Sequence, residues 1–324
     1  MSSTDKQLLV MADLDRTLFI DPFVKELQDK GIHVTVGDPL KQSEEELIEA
    51  VKSCSAQAVI AGSETWSRRV MEACSGTLKC IVRCGTGYDQ VDIPAASDCN
   101  IVVANTPGQN ANAVAEMAFA HMIALKRKLK YYDSLTQNGG WGLSPALELT
   151  GKTVGLIGFG AVAQKLAGLL SGFQCRILAY DVFYNQEAVE KYHVTCASLE
   201  EIYQEADVIS LHVPLLPSTA NMINSESIAK MKDGVLIINT SRGGIVDVRA
   251  LKAGLESGKV GGAGLDVHDE EPLSVKYPLL KMDNVILTPH AATATREAVM
   301  NMAKASFERV CQYFEGVSVA NKLN

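Results

Sequence analysis

The 324-residue sequence has no apolar stretch near the roughly 18 uninterrupted residues that a membrane-crossing helix requires. Its N-terminus, MSSTDKQLLVMADLD, puts acidic residues directly after a short apolar run, so it lacks the basic start and long apolar core of a secretion signal. Long runs of like charge are missing too, and the net charge is −8. A nucleic-acid-binding surface is therefore not expected, although a local basic pocket for an acidic ligand is compatible with that balance. The eight cysteines (Cys54, Cys74, Cys80, Cys84, Cys99, Cys175, Cys196 and Cys311) lie scattered through apolar segments, and none forms a CxxC pair. That spacing supports no metal site and reads as buried thiols in a reducing, cytoplasmic setting. No solenoid-like repeat or low-complexity segment is found.

Hydrophobic residues make up 47% of the chain, enough for a sizeable core, and the length suggests about two domains. Short apolar runs alternate with amphipathic stretches, the pattern of parallel sheets with crossover helices. Residues 8–12, 33–36, 58–61, 80–83 and 101–104 read as strands, with helices near 22–30, 44–53 and 67–74. A second series of strands covers 153–158, 175–181, 207–213, 234–240, 261–267 and 284–290. That is too many for one ordinary sheet, so two α/β units are expected.

Residues 110–130, NANAVAEMAFAHMIALKRKLK, predict one long helix with apolar residues on nearly every face. Such a helix must be covered all round. A single domain covers one side, so the helix is expected to pack between domains or against a second copy, giving a homodimer through this region. Its basic end suits a helix C-terminus. A last helix is predicted over 294–316, with no strand after it.

The strand TVGLIG leads into Gly158-Phe159-Gly160-Ala161-Val162-Ala163, and a helix follows. This is the GxGxxG/A turn of a dinucleotide-binding unit: Gly158 for the tight turn, Gly160 for close approach of a pyrophosphate, Ala163 for packing of helix on strand. The next strand ends in Asp181, about twenty residues further on, where a carboxylate can accept hydrogen bonds from a ribose 2′-hydroxyl. An acid there repels the 2′-phosphate of NADP, which points to NAD.

Three charged residues follow strands of the second series: Arg242 in NTSRGG, Glu271 in HDEEP and His290 in LTPHAA. Ligands collect at the carboxyl ends of strands in open α/β sheets. A guanidinium can hold a carboxylate in two places, and a Glu beside a His favours an imidazolium able to donate a proton. These are the parts that hydride exchange between a 2-keto acid and a 2-hydroxy acid requires. Taken singly, each has a blander reading as a capping, surface or core residue, and His268 is closer to Glu271 in sequence than His290 is.

Several segments together, RCGTGYDQVDIPAA (83–96), NTPGQNANAVAE (105–116), LTGKTVGLIGFG (149–160), LHVPLLPST (211–219), INTSRGGIVD (238–247), GLDVHDEEP (264–272) and LTPHAA (287–292), resemble the D-isomer-specific 2-hydroxyacid dehydrogenase family over most of the chain. The resemblance implies two Rossmann-like doubly wound parallel-sheet domains with a cleft between them. Residues 1–104 plus 292–324 would bind substrate, and 105–291 would bind NAD. It implies Arg242 as binder of carboxylate and carbonyl, Glu271 as orienter and His290, rather than His268, as acid/base. It also implies Gly85-Thr86-Gly87 as backbone donors to the substrate carboxylate, and Asp266 against the nicotinamide amide. His212, Val213, Pro214, Thr219, Thr240 and Ser241 would lie near the cofactor.

Within the family, residues 62–74 and 78–89 are most similar to short D-3-phosphoglycerate dehydrogenases. A phosphorylated substrate would need cations near the loop, for which Arg68, Arg69 and Arg83 are candidates. Gly62 stands where many relatives place an Arg, and Ala161 and Ala163 stand where they often have Arg and Gly. Hydroxypyruvate- or glyoxylate-type reduction is the alternative.

Two readings from other classes compete. MADLDRTLF resembles the DxDxT motif of haloacid-dehalogenase-type phosphatases, with Asp13 and Asp15 as reacting acids. That chemistry also needs a magnesium-holding acidic pair, and no GDxxxD or DD after a strand supplies one. A non-enzymatic NAD sensor on the same fold is the other, and the joint presence of Arg242, Glu271 and His290 argues against it.

Overall fold

A computed structural model describes residues 6–12, 16–40 and 43–324. Asp13 and Asp15 lie outside the described residues. The chain divides into two compact units, residues 1–110 with 295–324 and residues 111–294.

The first stretch supplies strands β1 (Lys6–Val10), β2 (Ile32–Val36), β3 (Ala58–Ala61), β4 (Cys80–Arg83) and β5 (Val102–Asn105). Between them run helices α1 (Asp21–Asp29), α2 (Glu44–Ser53), α3 (Arg68–Cys74) and α4 (Ile93–Asp98). The strands pair in parallel in the order β2-β1-β3-β4-β5. AVIA and CIV are buried on both faces, as central parallel strands must be. The helices begin where side chains can satisfy open backbone N–H groups: Ser43 and Glu46 form a capping box on α2, and Asp92 caps α4.

The second unit opens with α5 (Ala111–Lys126) and α6 (Leu129–Gln137), then β6 (Thr153–Ile157), α7 (Ala161–Ser171) and β7 (Arg176–Tyr180). It continues through α8 (Gln186–Lys191), β8 (Thr195–Cys196), α9 (Leu199–Glu205), β9 (Val208–Leu211), α10 (Ser225–Lys230) and β10 (Val235–Asn239). Helix α11 (Val248–Ser257) and strands β11 (Val260–Leu265) and β12 (Val285–Leu287) complete it. Seven parallel strands run in the order β12-β11-β10-β9-β6-β7-β8. The strand order reverses between β6 and β9, which makes their carboxyl ends the crevice where a doubly wound sheet takes a ligand. Cores fill both faces of this sheet.

One expectation is corrected here. The helix predicted over 110–130 ends at Lys126, and Lys128 takes a left-handed conformation (φ +52°) that turns the chain into α6. Nor does α5 lack cover within its own unit, because it packs on α7 and on β10 and β11. Ala115, Ala118 and Met122 join the core, while Asn112, Glu116 and Ala120 stay exposed. The need to cover α5 is therefore no argument for a second copy.

The chain then returns to the first unit with α12 (Arg296–Phe314). Met302, Phe307 and Val310 seal the sheet face formed by Leu8, Val10, Ile60 and Val82, and Phe307 stacks on Phe23 at 4.9 Å. Each large side chain buried this way contributes about 1.5–3 kcal/mol. Among the described residues, no helix is long and apolar enough to cross a membrane, and no His, Cys, Asp and Glu cluster is arranged to hold a metal.

Candidate active site

In the 111–294 unit, β6 is followed directly by Gly158, which has φ +94°. A Cβ there would sit 2.6 Å from the His212 carbonyl oxygen, so only glycine allows the turn against the end of β9. Gly160 differs, because a Cβ on it would meet nothing within 4 Å. It precedes α7, whose first turn has no side-chain cap. Open space in front of uncapped N–H groups at a helix N-terminus suits an anionic group.

Asp181 closes β7 and accepts the Phe159 N–H at 2.6 Å and the Phe183 N–H at 3.1 Å. It thereby ties the second strand end to the glycine turn and keeps acceptor capacity on both oxygens. Phe159 has its N–H committed to that bond and its ring in the core, so it serves the shape of the turn. Ala161 and Val162 open α7, while Ala163 is buried against the sheet.

Around the same strand ends, burial pushes His212 down to about 4, so its ring is neutral near pH 7. Among the described residues its Nε2 has no partner, and neither has the Thr240 hydroxyl, although both atoms are buried. Unsatisfied buried polar atoms beside such strand ends are what a polar ligand would satisfy. Val213 packs at the turn, and the Thr219 hydroxyl donates to the Pro214 carbonyl at 2.6 Å, closing the 214–219 loop on itself. The glycine turn, the open helix end, Asp181 and these orphaned atoms together fit a dinucleotide.

Arg242 follows β10. The Asn239 side chain, wholly buried, donates to the Arg242 carbonyl at 2.8 Å and accepts the Ser241 N–H at 3.0 Å, fixing the turn. The Ser241 hydroxyl donates to the Leu211 carbonyl at 2.8 Å, and the Arg242 guanidinium donates to the Ser241 carbonyl. At Gly243 a Cβ would fall 1.9 Å from the His268 carbonyl carbon, so the first glycine after Arg242 is required by packing against 268–269.

The Asp266 carboxylate is the frame of the neighbouring corner. It is fully buried and accepts the Thr288 hydroxyl at 2.6 Å and the N–H groups of Ala291 and Ala292 at 2.9 Å each. The His290 N–H donates to the Asp266 carbonyl at 2.7 Å, with His290 held at φ +53°. On this frame His290 Nδ1 lies 2.8 Å from Glu271 Oε2, and the other Glu271 oxygen accepts the His268 backbone N–H at 2.9 Å. The ring paired with Glu271 is thus that of His290. The His268 ring turns to the Thr288 carbonyl at 2.9 Å and packs edge-on to Tyr277. Thr288 was not singled out in the sequence, although it stands inside LTPHAA; hydroxyls beside a catalytic candidate are too common to signal by themselves.

Residues 85–87 belong to the other unit and follow β4. The Gly85 N–H donates to the Thr106 hydroxyl at 2.8 Å, and the Thr106 N–H returns a bond to the Gly85 carbonyl at 3.0 Å. The N–H of Gly85 is therefore spent, whereas those of Thr86 and Gly87 make no hydrogen bond among the described residues. Arg83 donates to the Cys84 carbonyl. Arg69 pairs with Glu44 and Glu45 at 2.7 Å, and Arg68 with Asp98 at 2.8 Å. Gly62 has no room for a side chain, since a Cβ would lie 2.9 Å from the Ala12 Cα. Beside it Glu64 is buried, accepting the N–H groups of Gly62 and the Trp66 indole.

Residues 119–292 match the family model for the NAD binding domain of the D-isomer specific 2-hydroxyacid dehydrogenases. The chain belongs to that family. A glyoxylate reductase of Korarchaeum cryptofilum is 34% identical over 89% of this chain and 88% of its own length. A D-3-phosphoglycerate dehydrogenase of Archaeoglobus fulgidus is 38% identical over 95% of this chain, which spans only 59% of that relative's length. The crystal structure of a glyoxylate reductase from Paecilomyes thermophila superposes with a TM-score of 0.88 at 27% identity, covering 99% of this chain and 98% of its own. This family member accordingly carries the glycine turn and Asp181 inside the segment matched as its NAD-binding domain.

Proposed function

We propose that the protein is an NAD-dependent dehydrogenase that interconverts a small D-2-hydroxy acid and its 2-keto acid. The observation that carries this reading is the Glu271–His290 pair at 2.8 Å, mounted on the buried Asp266 next to the strand that delivers Arg242. NAD, held by Gly160, the α7 N-terminus and Asp181, supplies the hydride acceptor or donor when bound. Arg242 holds the substrate carboxylate and polarises its carbonyl. Glu271 accepts the Nδ1 proton of His290, so Nε2 gives its proton to the C2 oxygen in reduction and takes it back in oxidation. Thr86 and Gly87 serve the carboxylate through their free N–H groups, and Asp266 acts chiefly by holding the His290 corner, with its second oxygen able to accept from a nicotinamide amide.

The Archaeoglobus relative's name makes D-3-phosphoglycerate and 3-phosphohydroxypyruvate the first pair to test. A second reading, a hydroxypyruvate- or glyoxylate-type reductase, is favoured by a specific observation: Arg68 and Arg69 already pair with carboxylates, and Gly62 brings no cation. Oxidation of NADH against 3-phosphohydroxypyruvate, hydroxypyruvate, glyoxylate, pyruvate and 2-ketoglutarate separates them. Turnover of none of these, with NADH still bound, would overturn the dehydrogenase and leave a sensor.

The working form we assign is a homodimer, for which the apolar surface lies beyond α5. Trp141 is 94% and Leu143 99% exposed, with Leu129, Tyr131 and Leu147 exposed nearby, an arrangement that a second copy would cover. Light scattering that gives a monomer would remove this assignment. A cytoplasmic location accords with the eight cysteines, all of them free thiols.

A further inference from the structure

Residues 321–324 lie along the free edge of β5, joined to it by a single β-bridge and flanking hydrogen bonds. Lys322 pairs antiparallel with Ala104, and the Leu323 N–H donates to the Val103 carbonyl at 2.8 Å. The Asn324 side chain accepts the Val103 N–H at 2.9 Å and donates to the Ile101 carbonyl at 2.9 Å. From the α12 side, the buried Arg309 donates to Asn321 Oδ1 at 2.6 Å. The Asn321 carbonyl accepts the Asn105 N–H at 3.4 Å, at the last residue of β5. Asn105 in turn is buried and donates from Nδ2 to the Thr86 carbonyl at 2.7 Å.

We propose that Asn105 is a positioning residue for the 85–87 loop, and that residues 321–324 are the strap that holds it in register. The physical argument concerns the peptide groups. A single bond from Asn105 fixes the plane of the Thr86–Gly87 peptide, and that plane sets where the Gly87 N–H points. Thr106 anchors Gly85 on one side, but on Thr86 only Asn105 among the described residues acts through the backbone; the Thr86 hydroxyl reaches Asn110 at a longer 3.3 Å. Asn105 ends an edge strand, where the ladder is weakest. The strap pairs that edge and links it to α12 through Arg309. The inference rests on the assignment of Thr86 and Gly87 to the substrate carboxylate.

The test uses the 324-residue chain, Asn105→Asp and a chain lacking residues 321–324. Aspartate keeps the size of asparagine but loses the donor to the Thr86 carbonyl. Both variants are expected to raise the KM for the best keto acid about tenfold while kcat stays within about twofold, the signature of lost ground-state positioning. NADH affinity, read by fluorescence titration, is expected to be unchanged. The Gly85 and Thr106 amides are expected to lose protection from hydrogen exchange in the truncated chain. A purely structural strap would lower Tm without moving KM, which would overturn the proposal, as would unchanged KM and unchanged exchange. Should the truncated chain fail to fold, Asn105→Asp decides by itself. If the intact protein reduces no keto acid, the functional reading fails, and amide exchange in Asn105→Asp and the truncated chain still decides whether the strap holds the loop.

Discussion

The two sheets are parallel and doubly wound, yet their carboxyl ends are equipped in opposite ways. The 111–294 unit ends its strands in ionisable groups, Asp181, Arg242, Asp266, Glu271 and His290, each seated by hydrogen bonds. The other unit ends β4 and β5 in Gly85, Thr86, Asn105 and Thr106, a neutral set of backbone and amide donors, and its Arg83 is turned to the Cys84 carbonyl. The fold is common to both; what differs is which residues the strands deliver. On the proposed reading, proton transfer and charge compensation belong to the residues of the 111–294 unit.

The comparison predicts graded losses. His290→Asn removes the proton carrier and is expected to cut kcat by about 10²–10⁴-fold with NADH binding intact, the range for general acid–base catalysis. Equal activity in this variant would break the contrast outright. Arg242→Ala should abolish measurable turnover at ordinary substrate concentrations while leaving NADH binding nearly intact, and parallel loss of cofactor affinity would contradict its role. Asp266→Asn leaves one side of a frame that accepts three hydrogen bonds unable to accept, and a stability loss of roughly 3 kcal/mol is expected by denaturant unfolding. Asp181→Ala should weaken NADH binding and narrow its advantage over NADPH, measured by titration of both.

The smallest effect concerns His212. Its folded value near 4 lies below the ordinary 6.5, so the unfolded chain binds more protons between these limits. Its contribution to stability is present above about pH 6.5 and is lost as pH falls towards 4. His212→Gln should flatten the fall of Tm over that window relative to the parent, and identical slopes would show that the ring is not buried neutral.

Much of this was legible in the residues. Apolar runs such as AVIA, CIVR and VLIIN fall where β3, β4 and β10 lie, because a strand buried on both faces leaves no polar alternation to blur it. Arg242, Glu271 and His290 stood out as charged residues after strands, but the family resemblance was needed to choose them over blander readings and His290 over His268. The break at Lys128 could not, since nothing in KRKLK announces a left-handed lysine and the apolar pattern continues across it. The two-residue β8 is too short to carry a period. Thr288, Thr106 and Asn105 act through bonds to residues distant in sequence or across a loop, so only their spatial neighbours reveal them.

The central claim, that the Glu271–His290 pair performs proton transfer for a 2-keto acid in an NAD-dependent enzyme, is tested most directly by keto-acid-dependent oxidation of NADH with the intact protein beside His290→Asn. The account predicts turnover of at least one small 2-keto acid by the former and its near-complete loss in the latter, with both binding NADH alike. Turnover that survives the substitution, or an intact protein that binds NADH and reduces none of these acids, would contradict it.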